Sequence, residues 1–216
     1  MRLLLIAALL PLGACQSNAE RGEAAQPSGT GTTRSFAATG FTGVELRGSD
    51  DVDVRTGPFA VTAEGEAKVL DQLDIRVVDG TLRIGRKQSS WGSNDRGARI
   101  HVVMPKLSAA ALSGSGDLAI ADLRADDAEL SIAGSGDMTV AGSVSKLSAS
   151  IAGSGDIKAK GLTATSADVS IAGSGNVVAT VKGPASVSII GSGDAELGGG
   201  AKCSVSAMGS GEAHCS

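Results

Sequence analysis

The stretch SIAGSGD occupies residues 131–137 and decides the fold. Stretches that share its GSG core occur at residues 112–117, 150–156, 170–176, 188–194 and 206–212. The first glycines of successive copies are 20, 19, 20, 18 and 18 residues apart. A period near twenty that repeats this often predicts a solenoid, in which each repeat forms one coil and is stable only against its neighbours.

Apolar and polar residues alternate on both sides of each GSG core. In the second copy, Leu130 and Ile132 precede the turn, and Met138 and Val140 follow it. This period of two indicates strands with one buried face. We expect the coils to stack about 4.8 Å apart with parallel pairing. The predicted fold is therefore an all-β parallel β-solenoid, like a right-handed β-helix, with rungs of about 18–20 residues.

The same register extends to an early, atypical coil. In GVELRGSDDVDV, at residues 43–54, Gly48 stands in the place of the first glycine and Asp50 in the place of the second. Further strands are expected between this coil and the regular array. A hairpin-like turn is predicted at residues 78–81 and a short helical turn at residues 66–73.

An acidic or amide residue follows each GSG turn. These residues are Asp117, Asp137, Asp156, Asn176, Asp194 and Glu212. Stacking would align them in one row, where carboxylates about 5 Å apart repel by somewhat under 1 kcal/mol in water. The side chains can bond their own backbone two residues on, as in Asx turns. The alternative is a row of calcium ligands, but the known calcium-binding β-roll has a nine-residue period and Asn176 reduces the charge.

The last coil contains a pair of cysteines. Cys203 lies six residues before Gly209 and Cys215 six residues after it, so both fall at inward positions. In an oxidising compartment this placement predicts a disulfide across the final rung. The bond would cap the open end of the solenoid, where a free edge invites aggregation. Two buried free thiols are the alternative.

The N-terminal residues are typical of a targeting segment. Arg2 precedes an apolar run of about ten residues, which is half of what a membrane span requires. The run ends in LGAC, which resembles the lipobox of bacterial lipoproteins, so residues 1–14 are predicted to be a signal peptide and Cys15 to be lipidated. Several acyl chains would anchor the protein stably in a membrane. An ordinary secretory signal with an incidental cysteine is the alternative.

The rest of the chain divides into a tether and a folded head. Residues 15–35 lack apolar periodicity and are predicted to be a flexible tether. The head covers residues 36–216, with the regular rungs at 106–216. Gln16 follows the lipidated cysteine, and the absence of Asp at this position favours the outer membrane.

Several function classes lack support in the composition. The net charge of −4 offers no basic patch for nucleic acid, and the two histidines are far apart in sequence. No nucleophile elbow or P-loop occurs, so we predict no catalytic residue, no metal site and no cofactor. Trp91, the sole tryptophan, lies in a long polar loop. It would contact a sugar or partner, or else pack over the end of the solenoid.

A known family shares these motifs. GVELRGSDDVDVRTG, LDIRVVDGTLRIG, MPKL and the successive SGSGD and AGSGD turns resemble the putative auto-transporter adhesin head GIN domain over residues 36–216. The resemblance implies a β-helix-like solenoid in the cell envelope and brings no catalytic residues. The predicted function is a non-enzymatic lipoprotein module for adhesion or scaffolding, with a glycan or envelope protein as partner, or self-association. The alternative is a protein that binds or modifies envelope polysaccharide.

Overall fold

The computed structural model describes residues 22–87 and 97–216, which form eighteen strands and one short helix. The strands before the regular array are β1 (Glu23–Ala24), β2 (Pro27–Ser28), β3 (Thr33–Phe36), β4 (Gly43–Gly48), β5 (Asp51–Thr56), β6 (Ala60–Glu64), β7 (Leu73–Val78), β8 (Thr81–Arg86) and β9 (Arg99–Met104), with helix α1 (Ala67–Leu70) after β6. The array contains β10 (Ala109–Gly114), β11 (Leu118–Gly134), β12 (Met138–Gly153), β13 (Ile157–Gly173), β14 (Val177–Val181), β15 (Pro184–Gly191), β16 (Ala195–Gly198), β17 (Lys202–Gly209) and β18 (Ala213–Cys215). None of the helical structure in these two ranges is long and apolar enough to cross a membrane.

The regular array is a parallel β-solenoid whose register is the predicted one. Each first glycine pairs with the first glycine of the next coil, in the column Gly48, Gly114, Gly134, Gly153, Gly173, Gly191 and Gly209. Ile132, Ile151 and Ile171 also form one column, and each is at most 2% exposed. Equivalent residues of successive repeats therefore lie over one another, and the interior consists of stacked aliphatic side chains.

The corners of the coils absorb the differences in repeat length. The pairing shifts register after Ile120 in β11, after Thr139 in β12 and after Ala159 in β13. Each shift lies a few residues after a GSG turn, and the strand regains register before the next turn. Coils of 18 to 20 residues can therefore stack without moving the glycine columns.

The order of the coils in space differs from their order in sequence. Strands β4 and β5 pair in parallel with β10 and β11 on one side, and with β8 and β9 on the other. Gly48 and Gly114 are 66 positions apart, and the chain between them folds back to place β8 and β9 beneath the early coil. Antiparallel strands then extend each sheet outward, β7 and β1 beside β8, and β6, β3 and β2 beside β9.

Strands β1–β3 and β6–β9 and helix α1 together form what we call the cap of the solenoid. The local structures predicted for this cap are present. Val78 pairs with Thr81, and Asp79 and Gly80 have φ of 49° and 73°, which is typical of a type I′ hairpin turn. Helix α1 lies inside the predicted range of residues 66–73. Its Val69 and Leu70 are buried, so the helix closes the core of the cap.

The chain is paired into the sheet earlier than the predicted tether boundary at residue 35. Strands β1 and β2 and most of β3 lie within the range predicted to be flexible, and β1 pairs with β7. Their lengths of two to four residues are too short to show a period of two in the sequence. Phe36 is 6% exposed at the end of β3, which fixes this segment to the core.

Asp50 explains why one coil departs from the glycine pattern. Its carboxylate is fully buried and accepts hydrogen bonds from Arg86 Nη2 (2.7 Å), Arg86 Nε (3.1 Å) and the backbone N–H of Ala98 (2.8 Å). In later coils a Cβ at the second glycine would lie about 2.0 Å from a carbonyl oxygen of the coil below, as for Gly116 above Asp50. Beneath Asp50 the described residues are Arg86, at the end of β8, and Gly97 and Ala98, just before β9, so a side chain fits there and joins these two strand ends.

Candidate interaction surfaces

The GSG turn is built from hydrogen bonds between coils. The carbonyl oxygen of Gly134 accepts from the N–H of Ser154 (2.9 Å) and of Gly155 (3.2 Å) in the next coil, and the same pair of bonds recurs up the column. Gly153 has a φ of +140°, and a Cβ there would lie 2.2 Å from the Gly134 oxygen. Glycine is therefore required both by the backbone angle and by the close approach of the coils.

The residues after the turns form the row that the sequence predicts, here called the acid row: Asp117, Asp137, Asp156, Asn176, Asp194 and Glu212. The turn chemistry takes a different form from the expected Asx turn. Each side chain from Asp117 to Asp194 accepts a hydrogen bond from the backbone N–H of the next member, at 2.8–3.3 Å. Asp51 of the early coil extends the row, since it accepts from the N–H of Asp117 at 3.4 Å. The partner of each side chain therefore lies one coil above and not in its own turn.

Asn176 has a specific place in this ladder. Its side-chain nitrogen donates to Asp156 Oδ1 (3.0 Å), and its side-chain oxygen accepts from the N–H of Asp194 (3.0 Å). An aspartate at this position would offer the acceptor without the donor. The amide therefore removes like-charge contacts with both Asp156 and Asp194 and adds one hydrogen bond.

One lysine neutralises part of the acid row. Lys158 Nζ donates to Asp137 Oδ2, and this hydrogen bond is the main reason that the pKa of Asp137 lies below its ordinary value. Burial opposes it as the second-largest effect, and the N–H of Asp156 and the charge of Lys158 each add a smaller lowering. The same hydrogen bond raises the pKa of Lys158. Both groups are therefore charged at neutral pH.

The alternative interpretation of the acid row as a calcium site has no cluster of metal ligands to support it in the described residues. Within residues 22–87 and 97–216, no group of three or more His, Cys, Asp or Glu side chains is placed to hold a metal ion. One carboxylate oxygen of each of Asp117, Asp137, Asp156 and Asp194 already accepts a backbone N–H. Binding of calcium by this row stays a prediction from the sequence.

Beside the acid row the surface is concave. A shallow depression of about 400 Å³ lies between the row and the next outward column of the same sheet. It is lined by Asp156, Ile157, Lys158, Asn176, Val177, Val178, Asp194, Ala195, Glu196 and His214. Carboxylates, an amide, an ammonium and an imidazole therefore converge on a space large enough for a small ligand.

A second surface is flat and hydroxyl-rich. Outward-facing serines before the turns pair from coil to coil, and we call the column Ser131, Ser150, Ser170, Ser188 and Ser206 the serine face. Ala133, Ala152 and Ala172 form the neighbouring outward column and are exposed. Because the strands are evenly spaced, this face presents the same hydroxyl once per coil over five coils.

The early coil carries a histidine–carboxylate pair. His101 Nδ1 contacts Asp53 Oδ1, and Arg55 Nε lies 3.7 Å from Asp53 Oδ2. Both members of the pair point outward from adjacent strands, and Asp53 is the residue directly paired with His101. The 40 Å³ cavity nearby, lined by Arg55 and Met104 among others, is too small for a sugar ring.

The predicted disulfide is confirmed. Cys203 and Cys215 are bonded, with Cα atoms 6.3 Å apart and a sequence separation of 12 residues. Both side chains are half-buried against the core, so the bond joins β17 to β18 in the last coil. Two other predicted positions, Cys15 and Trp91, lie outside the described residues.

Sequence reasoning missed two features that the structure brings out. The first is the buried ion pair between Asp50 and Arg86, whose partners are 36 residues apart and share no motif. The second is the exposed apolar surface of the last two coils, where Ile190 and Met208 form an outward patch and Val205 is exposed separately at the end of the inward column. Ile190 and Met208 occupy the outward column that holds alanine in the coils below, so an alignment of the repeats would have indicated the patch.

Comparisons with known proteins agree with this fold. The sequence model of the family described as putative auto-transporter adhesin, head GIN domain, matches residues 40–216. No curated protein shows significant sequence similarity to the chain.

Several solved structures share this fold. A putative adhesin from Bacteroides fragilis NCTC 9343 is 18% identical, with a TM-score of 0.68 over 88% of this chain and 99% of that chain. A putative lipid binding protein from Parabacteroides distasonis ATCC 8503 is 22% identical, with a TM-score of 0.55 over 88% and 98%. A putative adhesin from the same strain is 20% identical, with a TM-score of 0.51 over 86% and 96%. At these identities the similarity shows the fold alone.

Proposed function

Because the chain belongs to the putative auto-transporter adhesin head GIN domain family, we propose that it is a non-enzymatic adhesion or scaffolding module of the cell envelope. The observation that carries this proposal is the serine face, which repeats one hydroxyl per coil on a flat sheet. A hydroxyl both donates and accepts, so such a column suits a partner that also repeats hydroxyl or amide groups, such as a glycan or an extended envelope polypeptide.

Repetition supplies the affinity that single contacts lack. A hydrogen bond between protein and ligand is worth about 0.5–1.5 kcal/mol net, because water is displaced from both groups. Several such contacts on one rigid surface act together, since the first contact raises the effective concentration of the next. Weak contacts that add along a surface are what adhesion and scaffolding require.

The depression beside the acid row supports a second candidate, binding of a short envelope polysaccharide segment. Its volume of about 400 Å³ lies in the range of ligand sites, and it gathers Asn176, Asp194 and Glu196 with Lys158 and His214. These groups offer both donors and acceptors to sugar hydroxyls. The two candidate surfaces lie in different places. The serine face is on the strands before the GSG turns, and the depression is on the strands after them.

A lipid anchor at Cys15 would place this module at the outer membrane. The support is the lipobox-like LGAC and the Gln16 that follows it. Metabolic labelling with a palmitate analogue, followed by membrane fractionation, tests the anchor. Labelling of the unaltered chain and loss of label in Cys15→Ser are expected. Equal labelling of both chains would remove the anchor from the proposal.

Binding to a glycan array and to intact cells distinguishes the two surfaces. The double variant Ser150→Arg/Ser170→Arg places two charged side chains on the serine face, and Thr139→Arg is its control on an exposed position of the other sheet. The first proposal predicts loss of binding in the double variant only. Loss in Asn176→Ala, with the double variant unaffected, favours the depression. Binding that survives both changes contradicts both.

A further inference from the structure

The last coil leaves one long strand edge uncovered. Strand β17 runs for eight residues and pairs in parallel with β15. Along its other side no strand of the described chain is paired with it. Exposed edges are usually blunted by charges, proline, bulges or shortness. Strand β17 has a single charge, Lys202 at its start, and no proline, so the edge is open to pairing.

The apolar surface of the described chain is concentrated at this same end. Its exposed large hydrophobic side chains are Met208 (72%), Ile190 (59%) and Val205 (48%). Val205 continues the inward column of Val169 and Val187, which are at most 3% exposed because a coil covers each of them. Val205 is exposed because no coil of the described chain covers it. The disulfide closes the coil behind it without covering its edge.

The backbone groups of β17 are arranged for a partner strand. The N–H of Lys202 donates to Gly183 and that of Ser210 to Gly191, so the even-numbered residues between them direct their N–H toward β15. Successive residues of a strand alternate in direction. The N–H and C=O of Cys203, Val205 and Ala207 therefore point out from the solenoid end, on the residues whose side chains face inward.

A second copy of this chain fits that edge, and the other end of the solenoid does not. In the residues that the structure describes, the other end carries short antiparallel strands, among them the two-residue β1 and β2, and no further GSG column lies beyond them. Head-to-tail stacking would therefore break the columns. The edge can instead meet its own copy about a two-fold axis, which makes a closed and self-complementary interface.

We infer that the chain forms a two-fold dimer in which β17 pairs antiparallel with β17 of a second copy. Inward residues must face inward residues across the pair, because a shift by one would turn every side chain to the other face. In a pairing centred on Val205, that residue meets its copy and Cys203 meets Ala207 of the second copy. The outward serines of both copies then lie on one side, so the dimer doubles the serine face. The inference stands whether or not that face is the binding surface.

Sedimentation equilibrium of the full chain, in a detergent matched to the solvent density, tests the dimer. Val205→Lys places two like charges at the two-fold axis and is expected to raise the dimer dissociation constant about a hundredfold or more. Ala152→Lys, on an exposed position three coils below, is the matched control and should leave the constant unchanged. A monomer at all concentrations, an unaffected Val205→Lys dimer, or an open series of larger species would each overturn the inference.

Hydrogen exchange gives a readout that needs no variant. In the dimer the amides of Val205 and Ala207 are expected to be protected, in addition to those of Ser204 and Ser206 that face β15. Dilution to monomer should release the first pair and leave the second protected. Rapid exchange of Val205 and Ala207 at every concentration would overturn the inference even if the Val205→Lys chain failed to fold.

Discussion

Four glycine-to-alanine variants separate the two reasons for glycine in the turn column. Gly153 has both a φ of +140° and a carbonyl oxygen 2.2 Å from an added Cβ. Gly48 has a φ of +127° with nothing within 4 Å, and Gly155 has no positive φ but an oxygen at 2.0 Å. Gly198 has neither restriction. The set therefore compares backbone angle and coil contact one at a time.

The expected losses of unfolding free energy follow from these geometries. Gly48→Ala should cost about 1–3 kcal/mol, the usual cost of a side chain in a sparsely populated backbone region. Gly155→Ala should cost about 1–3 kcal/mol as overpacking. Gly153→Ala should cost about 3–5 kcal/mol, because the angle is combined with weakening of the two hydrogen bonds that Gly134 accepts, at about 1 kcal/mol each.

Urea denaturation followed by circular dichroism measures these differences. Gly198→Ala is the control and should be neutral or stabilising by about 0.5 kcal/mol. The decisive comparison is between Gly153→Ala and Gly48→Ala, which share the backbone angle and differ in the coil beneath. If the two cost the same, no coil lies against Gly153 and the stacking argument is refuted.

Three further predictions concern polar and covalent links. Asp50→Ala should cost about 3–5 kcal/mol in urea denaturation, because Arg86 is left without its buried carboxylate, and a loss under 1 kcal/mol would contradict that role. Lys158→Met should raise the pKa of Asp137 toward 3.8 in a carboxyl NMR titration. Because the folded pKa of Asp137 is lowered, the pair stabilises above the unfolded value and this stabilisation is lost as pH falls through the lower folded pKa. An unchanged titration would exclude the lysine as the cause. Replacing both terminal cysteines by alanine should cost about 3 kcal/mol and speed hydrogen exchange in β17 and β18 while β12 stays protected, whereas equal loss of protection throughout would contradict a local cap.

The regular coils were predictable because each GSG turn requires glycine at the same two positions of the repeat. At Gly134 and Gly153, the close approach of the preceding coil leaves no room for a side chain, so the sequence repeats its glycines wherever such a coil lies beneath. The inward columns and the terminal disulfide follow once that register is known. Asp50 fits the same rule, since the described residues beneath it, Arg86 and Ala98, leave room for its side chain and bind it.

The cap and the details of the candidate surfaces were not predictable in the same way. The antiparallel strands of the cap share no repeated sequence motif. The sequence therefore does not indicate that β8 pairs with β4 on the side opposite β10. The acid row has the predicted members, but side chains such as Asp137 choose a backbone N–H one coil above, which depends on the distance between coils. The edge of β17 is open because no strand of the described chain pairs with its far side. A repeat pattern in the sequence does not show which strand edge is left unpaired.

The stacking of the coils is tested most directly by NMR correlations through the hydrogen bonds that join them. In a uniformly labelled chain, the backbone nitrogen of Ser154 should correlate with the carbonyl carbon of Gly134 across a 2.9 Å bond. The nitrogen of Ser174 should correlate in the same way with Gly153, and that of Ser192 with Gly173. Correlations from these serines to carbonyls of any other residue would contradict the register on which the interior, the acid row and the serine face depend.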